Sequence, residues 1–217
     1  MGIYENVRNV LAELPLGVTL VAAVKYATPE QVKELIKAGI TELGFNTYQQ
    51  MLEVKNILSE KLLSNVNFHF IGHLQSNKVR KVMKLGVRLI QSVDSYKLAK
   101  KISLVGVEEG IFQDILVQVK TDKSKEYGIL PSELGEFLLS IKDMGNITIR
   151  GLMTIPPFEH NPENTRKYFA LTKKLFEKAS GLLGKQLDYL SMGMSDDYKV
   201  ALEEGANMIR LGRVLYR

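Results

Sequence analysis

Lys25 ends an almost wholly apolar run, Leu20-Val21-Ala22-Ala23-Val24-Lys25-Tyr26. Such a run predicts a strand buried on both faces, and lysine is seldom fully buried unless it is paired or chemically used. Burial disfavours the ammonium form and leaves an amine able to form a Schiff base with an aldehyde. A strand-end lysine whose head snorkels into water is the competing reading, and on this feature alone it stands ahead. A second charge sits in a second apolar run, Met208-Ile209-Arg210-Leu211. A guanidinium there needs a partner, either a carboxylate on a neighbouring strand or an acceptor on a ligand. The segment Ser191-Met192-Gly193-Met194-Ser195 is rich in small and hydroxyl-bearing residues and leads into Asp196-Asp197. Serine hydroxyls and backbone N–H groups at such a helix start suit an anion. Gly212, followed by Arg213, allows a close backbone approach. A helix cap and a tight turn explain the same residues without a ligand.

These residues lie far apart, so the elements between them must bring them together. Strand-like and helix-like segments alternate with a period of about 25 residues. A leading helix spans Tyr4 to Leu14, and strands follow at Thr19–Tyr26, Glu42–Asn46, Asn67–Gly72, Arg88–Val93, Asp114–Lys120, Thr148–Thr154, Leu187–Met192 and Met208–Leu215. Helices between them start at Thr28-Pro29-Glu30, Tyr48, Asn77, Asp94 or Ser95, Pro131-Ser132-Glu133 and Asn161-Pro162-Glu163. The helix from Tyr48 is expected to reach about Lys61, the one from Pro131 to end at Met144-Gly145, and the one from Pro162 to reach about Ala179. Eight strands separated by helices predict an α/β chain with a single (β/α)8 TIM barrel, carrying an extra N-terminal helix, over residues 1–217. No Gly-x-Gly-x-x-Gly turn follows the first strand, which disfavours an open doubly wound sheet.

A barrel of this kind gathers its active face at the C-terminal ends of the strands and often binds phosphate with the loops after strands seven and eight. Lys25, Asn46, His73, Met153, Thr154, the Ser191–Ser195 loop, Arg210 and Gly212-Arg213 all fall there. Pyridoxal 5'-phosphate offers an aldehyde, a ring nitrogen and a phosphate; a lysine, an arginine and a phosphate cup answer those three groups. His73 is expected in the pocket wall as a hydrogen-bonding residue, and Met153 or Thr154 at its floor. His69 and His73 lack an evident third ligand, so no metal site is expected. No Ser-His-Asp or paired-carboxylate arrangement stands out.

Composition narrows the classes. The chain has 217 residues, 45% hydrophobic and 24% charged, with a net charge of +5 and no cysteine. Disulfides, thiolate nucleophiles and cysteine-ligated metals are therefore excluded. No run of about 18 apolar residues predicts a membrane span, and the start lacks a secretory pattern, so a cytoplasmic location is expected. Position 6 is Asn6, which breaks the myristoylation pattern opened by Met1-Gly2. Lys78-Val79-Arg80-Lys81 and Lys84 form the one dense basic stretch; without an aromatic-rich motif beside it, no nucleic-acid partner is expected.

The run Val21 to Lys25, the segment Phe70-Ile71-Gly72-His73-Leu74-Gln75-Ser76-Asn77-Lys78, Gly151-Leu152-Met153, Leu190 to Asp197 and Gly205 to Arg213 recur here in one order and spacing. In these the chain closely resembles the pyridoxal-phosphate homeostasis protein family over essentially its whole length. That family's fold is like the N-terminal barrel domain of alanine racemase. The resemblance implies pyridoxal phosphate as a Schiff base on Lys25, with Asn46 in the pocket. It implies Ser191, Ser195, Gly212 and Arg213 at the phosphate loops and Arg210 beside the ring nitrogen, and Met192 is expected among the cofactor-binding residues. Where the family usually has Gly-Glu-Asn, this chain has Gly44-Phe45-Asn46, so the glutamate's role has no counterpart. A cation beside the ring nitrogen disfavours ring protonation and weakens the ring as an electron sink. Racemases of this fold also draw a second acid or base from a C-terminal domain and a dimer partner, and this chain is expected to lack that domain. The implied role is a carrier in vitamin B6 and amino-acid homeostasis without established turnover. It would be a monomer ahead of a dimer, with pyridoxal-phosphate-dependent apo-enzymes as recipients. A racemase or lyase of the same fold is the alternative.

Overall fold

The computed structural model describes residues 2–122 and 126–216. Eight parallel strands close into a barrel in sequence order: β1 (Thr19–Ala23), β2 (Glu42–Phe45), β3 (Asn67–Phe70), β4 (Val87–Val93), β5 (Gln113–Val119), β6 (Ile147–Thr154), β7 (Tyr189–Ser191) and β8 (Met208–Leu211). Closure runs through β8 against β1, with Val21 opposite Arg210 and Ala22 opposite Leu211. The helices are α1 (Ile3–Glu13), α2 (Pro29–Lys37), α3 (Tyr48–Ile57), α4 (Glu60–Leu63), α5 (Val79–Lys84), α6 (Tyr96–Glu109), α7 (Leu134–Ile141), α8 (Arg166–Leu183), α9 (Tyr198–Glu203) and α10 (Arg213–Tyr216). The predicted α/β barrel with an additional N-terminal helix is the observed architecture.

Two apolar layers hold it. Val21, Leu89, Leu116, Met153 and Met208 pack inside the barrel. A larger layer, including Leu20, Ala22, Leu43, Ile90, Val117 and Ile209, packs between the strands and the helices. Alternate strand residues face these two layers, which is why the strands read as near-continuous apolar runs. The helix α1 buries Ile3, Val7 and Val10.

Several boundaries differ from the sequence reading, among them the helix expected from Pro131 to Met144-Gly145, which runs only from Leu134 to Ile141. The first strand stops at Ala23, because the Ala27 N–H turns back to the Val24 carbonyl at 3.0 Å. The last strand stops at Leu211: Val214 and Leu215 look strand-like in apolar content, but the Leu215 N–H bonds the Gly212 carbonyl and the segment is helical. The helix from Tyr48 breaks where Leu58 is extended, leaving α3 and α4 as separate pieces. Pro162 opens a short 3-10 turn, and the α-helix proper starts at Arg166. Two of the four cations of the basic stretch are ion-paired: Arg80 contacts Glu108 and Glu109, and Lys84 meets Glu109 at 2.9 Å. No helix among the described residues is long and apolar enough to cross a membrane.

Candidate functional site

A cavity of about 570 Å³ opens at the C-terminal ends of the strands. Lys25, Asn46, Ser195, Arg210, Gly212 and Arg213 line it, together with Tyr26, Ile71, Pro156, Phe158 and Tyr216. Its size lies within the range usual for small-molecule sites. Six of the ten residues predicted to meet a ligand therefore converge, although they span most of the chain.

Lys25 stands in the turn after β1, and it is exposed. Burial in a strand, the reason first given for its reactivity, does not apply; the last buried residue is Val24. The amine lies 4.9 Å from the Tyr26 ring centroid. The backbone beneath it is fixed on two sides. Gln50 donates its side-chain amide to the Val24 carbonyl, and the Tyr216 hydroxyl donates to the Ala23 carbonyl at 3.4 Å. The turn is closed by a reciprocal cap at the start of α2: Thr28 Oγ1 accepts the Gln31 N–H at 3.3 Å, and Gln31 Oε1 accepts the Thr28 N–H at 2.8 Å. So the turn that carries the amine has a hydrogen-bonded base and an exposed side chain.

Asn46 follows β2 against Gly72 of the loop after β3. A Cβ at Gly72 would overlap the Asn46 carbonyl oxygen, so only glycine permits this approach. Phe45 points away from the cavity into the outer layer, 4.9 Å from the Phe68 ring centroid.

The loop after β7 and the start of α10 build a polar cup. Ser195 Oγ accepts the Gly212 N–H at 3.2 Å and the Val214 N–H at 3.4 Å, leaving its own proton available to a further acceptor. Gly193 takes a left-handed φ of 94°, and a Cβ there would come within 2.6 Å of Ala201 Cβ, so the turn demands glycine. Asp197 Oδ1 accepts the Met194 N–H at 2.6 Å and pins the loop. Burial pushes the Asp197 carboxyl above its ordinary value, against the stabilising Met194 hydrogen bond and the Arg210 charge. Arg213 is exposed and pairs with Asp196.

Arg210 forms the inner wall, 4% exposed. Its Nη1 donates to Ser191 Oγ at 2.6 Å and its Nη2 to the Thr154 carbonyl at 2.8 Å. Burial pushes the guanidinium down to about 10, opposed by Asp197; it stays cationic at neutral pH. Of the two partners considered from sequence, a neighbouring carboxylate is not what it touches: the acceptors are neutral, so the charge is not cancelled by contact.

The remaining four predicted residues do not line the cavity. Met153 is buried in the barrel interior and Met192 in the outer layer. Ser191 is fully buried, and donates to Gln91 Oε1 at 2.7 Å while holding Arg210. His73 is exposed, stacked on Tyr127 with ring centroids 3.9 Å apart and 3.3 Å from Asp94. Sequence reasoning missed Gln50, Gln31 and Tyr216, whose polarity is unremarkable in helices, and Gln91. Only Gln91 had a signal to find: an amide inside the apolar strand β4.

Comparison with known proteins bears on this geometry. Residues 2–217 match the family described as alanine racemase, N-terminal domain. The chain is 36% identical over 198 residues to the pyridoxal phosphate homeostasis protein of Aquifex aeolicus (91% of this chain, 85% of that one). It is 35% identical over 210 residues to the protein so named in Synechocystis (96% and 94%). The structure of PipY from Synechococcus elongatus, which has PLP bound, superposes with a TM-score of 0.90 at 30% identity, covering 99% of this chain and all of that one.

Proposed function

This chain belongs to the pyridoxal phosphate homeostasis protein family, and on that premise we propose that it holds pyridoxal 5'-phosphate as a Schiff base on Lys25 and releases it to other proteins. The observation that carries the reading is the meeting, in one cavity, of the Lys25 amine, the Ser195–Gly212 cup and the Arg210 guanidinium. The cofactor supplies an aldehyde; condensation with the amine replaces its C=O by C=N and releases one water.

The chain's own residues do the rest. Ser195 donates its free proton, the Gly212 backbone approaches without a Cβ, and Arg213 stands at the rim with its charge shared with Asp196: together they suit a phosphate. Arg210 offers donors where a ring nitrogen can accept, and a cation there works against ring protonation. Asn46 is a side wall. Ser191 acts through Arg210, Met153 and Met192 through packing, and His73 at the rim.

Two features support holding over turnover. Arg210, carrying charge without an ion-pair partner among the described residues, opposes the protonated ring that carbanion chemistry uses. Lys25 is exposed at the mouth, which favours exchange with outside acceptors. The protein acts in the cytoplasm as a monomer and takes part in vitamin B6 and amino-acid homeostasis, with pyridoxal-phosphate-dependent apo-enzymes as recipients. The test is the visible absorbance of the purified protein loaded with the cofactor. Wild type is expected to absorb as a lysine-linked chromophore, Lys25→Ala to lose that band, and excess apo-acceptor enzyme to drain it from wild type. An unchanged band in Lys25→Ala would sink the assignment; a band that no acceptor can drain would sink the carrier role.

A further inference from the structure

A buried polar chain crosses the barrel interior from its N-terminal end to Arg210. Glu42, the first residue of β2, accepts Asn67 Nδ2 at 2.8 Å, and its second oxygen lies 2.6 Å from His69 Nε2. His69 Nδ1 lies 2.9 Å from Gln91 Nε2. Gln91 Oε1 accepts the Ser191 hydroxyl at 2.7 Å, and Ser191 Oγ accepts Arg210 Nη1 at 2.6 Å. His69, Gln91, Ser191 and Arg210 are 2%, 0%, 0% and 4% exposed, in a layer otherwise filled by apolar side chains.

The donors and acceptors fix a direction. A carboxylate only accepts and a guanidinium only donates. With Glu42 accepting from His69 Nε2–H, Nδ1 is left to accept the Gln91 amide N–H. That turns the amide oxygen to Ser191, whose proton is thereby used, and leaves the Ser191 lone pairs for Arg210. Turning the Gln91 amide over would require a proton on Nδ1. It would also give Ser191 two donors and leave its own proton without this acceptor. Burial pushes the Glu42 carboxyl up, but the hydrogen bonds from His69 and Asn67 and the nearby charges outweigh it and hold it below its ordinary value, as a carboxylate.

We propose that Glu42, His69 and Gln91 are positioning residues that set the orientation of the Arg210 guanidinium from the far end of the barrel. The wiring stands on the hydrogen bonds above; its consequence for the cofactor rests on the function proposed for the cavity. From His69 to Arg210 each link is buried, so no water competes for it, and consecutive links polarise one another.

Side-chain NMR of the whole chain, with and without pyridoxal 5'-phosphate, tests this. In wild type, His69 carries its proton on Nε2 with Nδ1 bare, and the Arg210 guanidinium protons are protected. Gln91→Leu is expected to speed their exchange and weaken cofactor binding, each by up to about tenfold, the upper end of the scale for one lost hydrogen bond between neutral groups. His69→Phe, which cuts the chain one link further away, gives the same signature and serves if the first variant does not fold. Glu42→Gln keeps an acceptor for His69 and stays close to wild type. Leu116→Val, in the same layer but outside the chain, leaves Arg210 unmoved. Unchanged Arg210 signals in both cut variants, an equal change in Leu116→Val, or a protonated Nδ1 in wild type would overturn the proposal. A wild type that takes up no cofactor refutes the functional reading, and the Arg210 signals still decide the wiring.

Discussion

A Cβ at Gly72 would sit 2.7 Å from the Asn46 Cα and overlap its carbonyl oxygen. Gly72→Ala must therefore push two loops of the site apart. It is expected to cost about 2 kcal/mol or more in urea unfolding and to weaken ligand binding. Gly181 gives the contrast: it lies inside α8 with nothing within 4 Å of where a methyl would stand, so Gly181→Ala should stabilise by about 0.5–1 kcal/mol. Glu42 supplies a pH test. Its folded-state carboxyl lies below its ordinary value despite burial, because His69 and Asn67 hydrogen-bond the charged form. A depressed carboxyl contributes stability above its unfolded pKa of about 4.3, and that contribution disappears as pH falls through the lower folded value. Urea midpoints should fall with acid below about pH 4 more steeply in wild type than in Glu42→Gln; parallel profiles would contradict this. At this scale Lys25 and Arg210 were legible because each interrupts an apolar run. His69 and Gln91 do the same in β3 and β4, yet their wiring was not legible, since each partner comes from a different strand.

The elements explain where the amine sits. The β1 strand is shorter than its apolar content suggests, and the turn at Val24–Ala27 lifts Lys25 out of the sheet into the cavity mouth. The reciprocal cap of Thr28 and Gln31 then starts α2 directly behind it. Thr28→Ala should lower stability by about 1 kcal/mol, and the melting temperature by about 2–4 °C for a chain of this size. Thermal unfolding followed by circular dichroism checks it. The helix starts capped by Thr28 and Ser95 were legible in the sequence because they depend on local chemistry, whereas at Pro131 and Pro162 the α-helix begins three or four residues later, at Leu134 and Arg166. The ends of β1 and β8 were not. There an apolar residue serves equally in a strand or in a turn of helix, as Leu215 does, and only the packing decides.

At the scale of the whole molecule, the closed barrel collects residues from opposite ends of the sequence, Lys25 and Arg213, into one wall. The eightfold alternation and the family motifs carried that much. They did not tell that Met153, Ser191 and Met192 would lie behind the cavity surface, because the inward or outward sense of a residue near a strand end depends on where that strand stops. Ligand binding to the folded state must stabilise the whole barrel. At about 100 times the dissociation constant the cofactor should add about 2.7 kcal/mol, with a smaller gain in Lys25→Ala. The most direct test of the covalent tether is borohydride reduction of the loaded protein, followed by proteolysis and peptide mass spectrometry. The predicted result is a phosphopyridoxyl group on Lys25. A reduced adduct on another lysine, or none at all, would contradict the account.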